Sequence, residues 1–268
     1  MAFCWFTSFI GYPDFFATSG NSAELAKAFQ TLARASLGGI SYKDSKKAFR
    51  QDPHQVETKK AAFQEFGLLY VKPKSDKITL TPAGRQVLRL SRNKKTLEAN
   101  RRLLLLTLCY SLSRYQFDNP LPVGGAAAKA RAATSDVLPY LATYFLMHRL
   151  NGVITAQELR GAVFGVQHMP DLIRVERRIL AQRQTGVPFK DVAGIPSKAG
   201  TANNLRIYFV AHLSLANSII KTTTQPTLYG GGDQAFELTE LGYEITSTVL
   251  APAATQTPPP VATPNSPT

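Results

Sequence analysis

The sequence predicts a mainly α-helical protein with small β-hairpins, arranged as two similar halves joined by a central helix. Three observations predict it. Apolar residues recur at helical spacing through most of the chain. Stretches rich in glycine and proline punctuate the periodic segments. One short pattern also occurs twice without a gap: residues 78–87 read ITLTPAGRQV and residues 236–245 read FELTELGYEI, both apolar-x-Leu-Thr-x-x-Gly-x-x-apolar.

In the first half, residues 21–37 (NSAELAKAFQTLARASL) form an amphipathic helix with Leu25, Phe29 and Leu32 on one face and Leu37 near its end. Gly38 and Gly39 turn the chain into Ile40–Tyr42, and a short helix is expected near Asp44–Arg50. Residues 53–66 (PHQVETKKAAFQEF) form a third helix, ended by Gly67 in the left-handed conformation. Leu68–Lys72 and Ile78–Thr81 are strands around a lysine-rich turn at Pro73–Lys77. Thr81 then caps a helix whose first position is Pro82, where a missing N–H costs nothing. Thr96–Leu112 is the central, strongly apolar helix, expected to pack against both halves.

The second half repeats the order. Asp136–Leu150 is a helix, Asn151–Gly152 a turn, and Thr155 caps a further helix with Glu158 three residues on. Pro170–Gln184 is a helix with Leu172, Ile173, Val175 and Ile179 on its apolar side. Gly186–Thr201 is a long connection, and Thr201–Asn217 reads as a helix rather than a strand. Ser218–Thr223 and Gln234–Leu238 make a hairpin around Tyr229–Gly232, and Thr239 opens the closing helix. Helix, short helix, helix, hairpin is the winged helix-turn-helix order. The expected organisation is a first winged-helix domain at 1–95, a linking helix and loop at 96–135, a second winged-helix domain at 136–250, and a disordered Pro/Thr-rich tail at 251–268. Asn119–Ala133, rich in Pro, Gly and Ala, is the loop between the halves.

Charge bears on partners. Lys and Arg number 31 against 18 Asp and Glu, a formal net charge of +13 with a pI near 9.8. Such a surplus points to a polyanion, nucleic acid before an anionic membrane. The N-terminus has no basic region before its apolar residues, and no apolar run approaches the length of a membrane span. Cys4 and Cys109 stand far apart, which fits neither a disulfide framework nor a zinc site. The expected location is the cytoplasm.

Little in the sequence points to catalysis. His54, His148, His168 and His212 show no metal-ligand spacing and read as surface or packing residues. No phosphate-binding loop or nucleophile elbow is present, so no cofactor or metal is expected. Pro13–Asp14 with Glu57-Thr58-Lys59 matches the letters of a PD-(D/E)xK nuclease, but Glu57 and Lys59 fall in a helical pattern where that chemistry needs a strand.

In a winged helix the third helix enters the major groove and the hairpin loop meets the backbone or minor groove. The expected contacts with double-stranded DNA in the first half are His54, Gln55, Thr58 and Lys59 on the third helix, and Lys72, Lys74 and Lys77 on the hairpin. In the second half they are Lys198, Asn203, Asn204 and Arg206. A run of cations, Arg85, Arg89, Arg92, Lys94, Lys95, Arg101 and Arg102, is opposed only by Glu98 and reads as a phosphate-binding stripe.

The segment LPYLATYFLMHRLNGVITAQELRGAVFGVQHMPDLIRVERRILAQRQTG resembles the DNA-recognition region of AlwI-like type II restriction endonucleases. The upstream FGLLY and ITLTPAGRQVL are similar to the wing of those proteins and of the FokI recognition domain. The resemblance implies sequence-specific DNA recognition in a restriction or defence setting, with cleavage supplied elsewhere and a nuclease or methyltransferase subunit as a partner. Two alternatives stand beside it: a complete type II endonuclease with a divergent metal site around Asp14, Glu57 and Lys59, and a protein-interaction adaptor.

Overall fold

The structure is a computed structural model that describes residues 5, 12–39, 41, 42, 44, 53–71, 77–115, 134–192, 209–225 and 233–254, with the backbone alone at 53–58, 224, 225, 233 and 252–254. It is mainly helical with two small antiparallel sheets, as the sequence predicts.

The first half opens with α1 (Gly20–Leu37), which buries Leu25, Phe29 and Leu32 along one stripe. Leu37, placed at the end of that stripe by spacing, is 67% exposed. Helix α2 (Pro53–Glu65) packs Phe63 into the same core, joined by Phe66 just past its end. It ends at Gly67, whose φ of 60° is left-handed. The Gly67 N–H donates to Gln64 O and the Leu68 N–H to Phe63 O, a Schellman closure. Strands β1 (Leu69–Val71) and β2 (Ile78–Leu80) pair in the register Leu69 to Leu80 and Val71 to Ile78. Helix α3 (Pro82–Leu90) follows, capped by Thr81 as expected.

The central helix differs from the single element expected. It is two helices, α4 (Lys94–Ala99) and α5 (Arg101–Ser113). Asn93 caps the first by accepting the Thr96 N–H at 2.9 Å. Asn100 then leaves the helical region (φ −120°, ψ 21°), and its side-chain amide donates to Thr96 O. Asparagine competes for backbone hydrogen bonds, which the apolar periodicity does not register. Helix α5 packs against elements of both halves.

The second half begins with α6 (Pro139–Arg149), three residues later than Asp136. The residue before a proline avoids the helical region, and Leu138 is extended. Strand β3 (Val153–Thr155) leads into a turn of helix α7 (Ala156–Glu158) that continues as a π turn over Leu159–Val163. Helix α8 (Leu172–Thr185) buries Leu172, Val175 and Ile179, but Ile173, expected on that side, is 40% exposed. Residues 209–214 are helical (α9), and Leu215, Ala216 and Asn217 have positive φ, so this helix stops short of the expected Asn217. Strands β4 (Ile220–Gln225) and β5 (Asp233–Leu238) form the second hairpin, and β3 joins it in the order β3-β5-β4. Helix α10 (Glu240–Ala254) closes the half and carries helical structure into the segment expected to be a disordered tail. Of the short helix expected at 44–50 only Asp44, which is helical, is described; most of the first hairpin's turn, the loop at 119–133, the second hairpin's turn and the tail beyond Ala254 lie outside the described residues.

The repeat is now explicable atom by atom. In the first half the Thr81 N–H donates to Leu68 O, and its Oγ1 donates to Gly67 O at 2.6 Å while accepting the Gly84 N–H at 2.9 Å. In the second half the Thr239 N–H donates to Ile219 O, and its Oγ1 donates to Ser218 O at 2.7 Å while accepting the Gly242 N–H at 2.8 Å. A Cβ on Gly84 would stand 1.9 Å from Leu68 O, and one on Gly242 2.0 Å from Ile219 O. Threonine ties the hairpin to the helix, and glycine lets the helix sit on the tied carbonyl. Even the helix closures match: Ser218 N–H to Leu215 O and Ile219 N–H to Ser214 O repeat the Gly67 and Leu68 bonds.

Cys109 is fully buried on α5, and burial pushes its thiol up to about 12. Two predictions follow from this packing. Gly84→Ala and Gly242→Ala each lower unfolding free energy by about 1–3 kcal/mol in urea titrations, because backbone must move to admit the methyl; a neutral effect at both would contradict the close approach. In a Cys4→Ser background, Cys109 stays unreactive to a thiol reagent at pH 8 until the chain unfolds, and rapid reaction of the native protein would refute its burial.

Candidate nucleic-acid interface

Beside the first hairpin, the end of α1 runs next to α3, and the Ser36 hydroxyl donates to Ile78 O at 3.0 Å. Between the two helices lies a cleft of about 340 Å³ lined by Arg34, Leu37, Arg85, Leu88, Arg89 and Arg92. Arg85, Arg89 and Arg92 share one face of α3 and its C-terminal end, since their spacing is close to one helical turn. Arg85 is steadied by donating to Leu80 O at 2.8 Å. None of the four arginines has a carboxylate partner among the described residues. Four uncompensated guanidiniums in one concavity make an anion-attracting surface, suited to bidentate contact with phosphate oxygens. The sequence reading missed Arg34 and the exposed Leu37. The available signal was weak: a lone basic residue in the last turn of α1.

The cation run divides in two. Arg85, Arg89, Arg92, Lys94 and Lys95 are exposed, and the three arginines meet in the cleft. Arg101 and Arg102 turn to the second half instead: Arg101 donates to Ser218 Oγ at 3.2 Å and lies over the Phe16 ring, and Arg102 pairs with Glu244. Both remain exposed while making these contacts. Lys77 is exposed at the foot of the first hairpin, and Lys59 is half-buried on α2. His54, Gln55 and Thr58 lie on α2, where only the backbone is described. Lys72, Lys74, Lys198, Asn203, Asn204 and Arg206 lie outside the described residues.

Several other titratable groups have structural partners. Asp14 Oδ1 accepts the Phe16 N–H at 2.9 Å and the Ala17 N–H at 3.2 Å, an Asx turn. Burial first, and then the neighbouring Asp14, push the Tyr12 hydroxyl up to about 12. Glu57 and Lys59 sit on α2, not on a strand. Among the described residues no group of three His, Cys, Asp or Glu side chains could hold a metal ion. His168 lies 3.2 Å from Asp136, and His148 bonds Thr246, with burial lowering its pKa. His212, expected to be a surface or packing residue, is fully buried against Glu65 and Tyr140.

In the second half Thr155 and Glu158 form the expected capping box. The first half holds a related cap: Ser41 Oγ bonds Asp44 Oδ2 at 2.7 Å and accepts the Asp44 N–H. Glu158 also receives a fork from Arg183, with Nε to Oε1 at 2.7 Å and Nη2 to Oε2 at 2.9 Å, and Arg183 further donates to Val153 O. The Glu158 side chain is fully buried and that of Arg183 is 17% exposed. This cation therefore fixes α8 to the capped turn. Arg174 pairs with Asp171 at the surface, and Arg178 covers the Phe189 ring.

No family model matches the chain, and no curated protein does. Among solved structures, the chain is similar to the binding domain of the BpuJ1 endonuclease, crystallised with pyrene- and phenanthrene-modified DNA. The TM-score is 0.56 over 93% of this chain and 86% of that one, at 12% identity. At that identity the likeness is one of fold. It extends through both halves, as the expected resemblance does, but to a different endonuclease from those the sequence brings to mind.

Arg183→Met leaves the buried Glu158 carboxylate without its partner and lowers unfolding free energy by about 3–5 kcal/mol. Arg174→Met at the surface pair changes it by less than about 0.5 kcal/mol. Equal effects in urea denaturation would contradict the structural division of these arginines.

Proposed function

We propose that the chain binds double-stranded DNA through two tandem winged-helix units, as the sequence-reading part of a restriction or defence system. The observation that carries this reading is the cleft between α1 and α3, where Arg34, Arg85, Arg89 and Arg92 face outward without carboxylate partners among the described residues. The net charge of +13 supports it. So does the order of the second half, in which a helix precedes a hairpin and the sheet runs β3-β5-β4. The fold likeness to an endonuclease binding domain seen with DNA supports the same partner.

In this reading α2 and the residues before α9 address the major groove. His54, Gln55, Thr58 and Lys59 act from the first helix, and Asn203, Asn204 and Arg206 from the second. Lys72, Lys74 and Lys77 on the first hairpin and Lys198 in the second half meet phosphates, as do Arg85, Arg89, Arg92, Lys94 and Lys95. Phosphate contacts set orientation; base-edge contacts set sequence preference. Cleavage falls to a partner subunit, and the partner expected beside DNA is a nuclease or methyltransferase subunit. The AlwI- and FokI-like affinity and a cytoplasmic location belong to the same reading.

Fluorescence anisotropy with a labelled random-sequence duplex tests it across a salt series. Affinity falls with salt at a log–log slope of about −0.9 per neutralised phosphate. The double variant Arg89→Ala, Arg92→Ala makes the slope shallower by about 2 with an unchanged unfolding midpoint. No binding at low salt would overturn the DNA reading, and an unchanged slope would remove the cleft from the interface.

A further inference from the structure

The two helices that precede the hairpins meet at their C-terminal ends through a buried polar network. Glu65 is the last residue of α2, His212 lies in α9, and Tyr140 lies in the first turn of α6. Glu65 and His212 are fully buried and Tyr140 is 1% exposed. The Tyr140 hydroxyl donates to Glu65 Oε1, and His212 Nδ1 stands 2.8 Å from the Tyr140 oxygen and 3.2 Å from Glu65 Oε1. The rings are held as well. Phe66 packs edge-on against His212 at 5.1 Å, and Tyr140 stacks on Phe209 at 4.8 Å and 15°. Tyr144, one turn further along α6, donates its hydroxyl to Leu213 O at 3.1 Å.

An apolar contact alone would let two helices slide at modest cost. A buried network does not, because each displaced polar group loses its partner where water cannot replace it. The matched helix closures and threonine bonds make α2 and α9 equivalent elements of the two halves. We propose that Glu65, Tyr140 and His212 are positioning residues that lock these two helices at one separation, so that the protein accepts DNA with one spacing between the two contacted segments. The proposal rests on the DNA reading above. Its energetic basis is effective concentration: a rigid joint of the right length presents the second helix to its segment at the highest local concentration, and a loose joint spreads it over several registers.

The test is binding-site selection from random duplex DNA with the wild-type protein, Tyr140→Phe and His212→Gln. Tyr140→Phe keeps the ring on Phe209 and removes only the hydroxyl. The wild type selects two short segments at a single spacer length. Both variants select the same segments over several spacer lengths, with affinity for the original spacing reduced about tenfold. A folding defect would weaken every spacing equally and leave the preference intact. Distances between spin labels at Thr31→Cys and Thr248→Cys, in a Cys4→Ser background, provide a readout that needs no DNA: a narrow distribution in the wild type broadens in both variants. A bipartite motif whose spacing the variants keep, or a wild-type selection without two segments, would overturn the proposal; absence of any DNA binding would instead overturn the reading beneath it.

Discussion

A backbone carbonyl at the foot of each hairpin, that of Leu68 in one half and of Ile219 in the other, receives the N–H of the threonine that ends the returning strand. The same threonine's hydroxyl reaches the preceding carbonyl and accepts the amide of the glycine three residues on. That glycine lies so close to the carbonyl that a Cβ has no room. These bonds set where the hairpin leaves the helix before it and where the next helix begins. Hairpin direction, the placement of α2 and α9, and the seating of α3 and α10 all follow. The threonine and glycine that make these bonds lie three residues apart, so a ten-residue pattern records them in both halves, while the carbonyls they meet lie across the hairpin.

Two such halves become one body through α5. Its Leu104, Leu105, Leu108, Cys109 and Leu112 are buried in a cluster that includes Phe66 of the first half and Val249 of the second. Trp5 adds a further tie, donating its indole N–H to Val166 O and packing on Phe164 and Phe209. The charges are sorted accordingly. Arg183 is committed to a buried carboxylate and Arg101 and Arg102 make surface contacts with the second half, while Arg34, Arg85, Arg89 and Arg92 face one open cleft. Net charge does not say where the cations lie; the structure gathers four of them in one cleft.

Much of the fold was legible because its signals are local. The threonine cap of the Leu-Thr-x-x-Gly step, the Thr155–Glu158 box and the Gly67 closure each involve residues a few positions apart, and each is found where the pattern placed it. The break at Asn100 and the late start at Pro139 were missed because side-chain competition and proline sterics act on single residues inside otherwise helical patterns. The site was less legible. Arg34 joins Arg89 only through tertiary packing, and Arg102 meets Glu244 for the same reason. The Glu65–Tyr140–His212 network joins residues from three separate segments, so no spacing rule could have found it.

The account stands on both halves meeting one duplex. Hydrogen–deuterium exchange of the full chain, with and without a saturating random-sequence duplex at low salt, measures this directly. The account predicts slowed exchange in two separate stretches, one from α2 through the first hairpin to α3 and one from residue 198 through the second hairpin, with α8 unchanged. Protection confined to one half, or centred on α8, would contradict it.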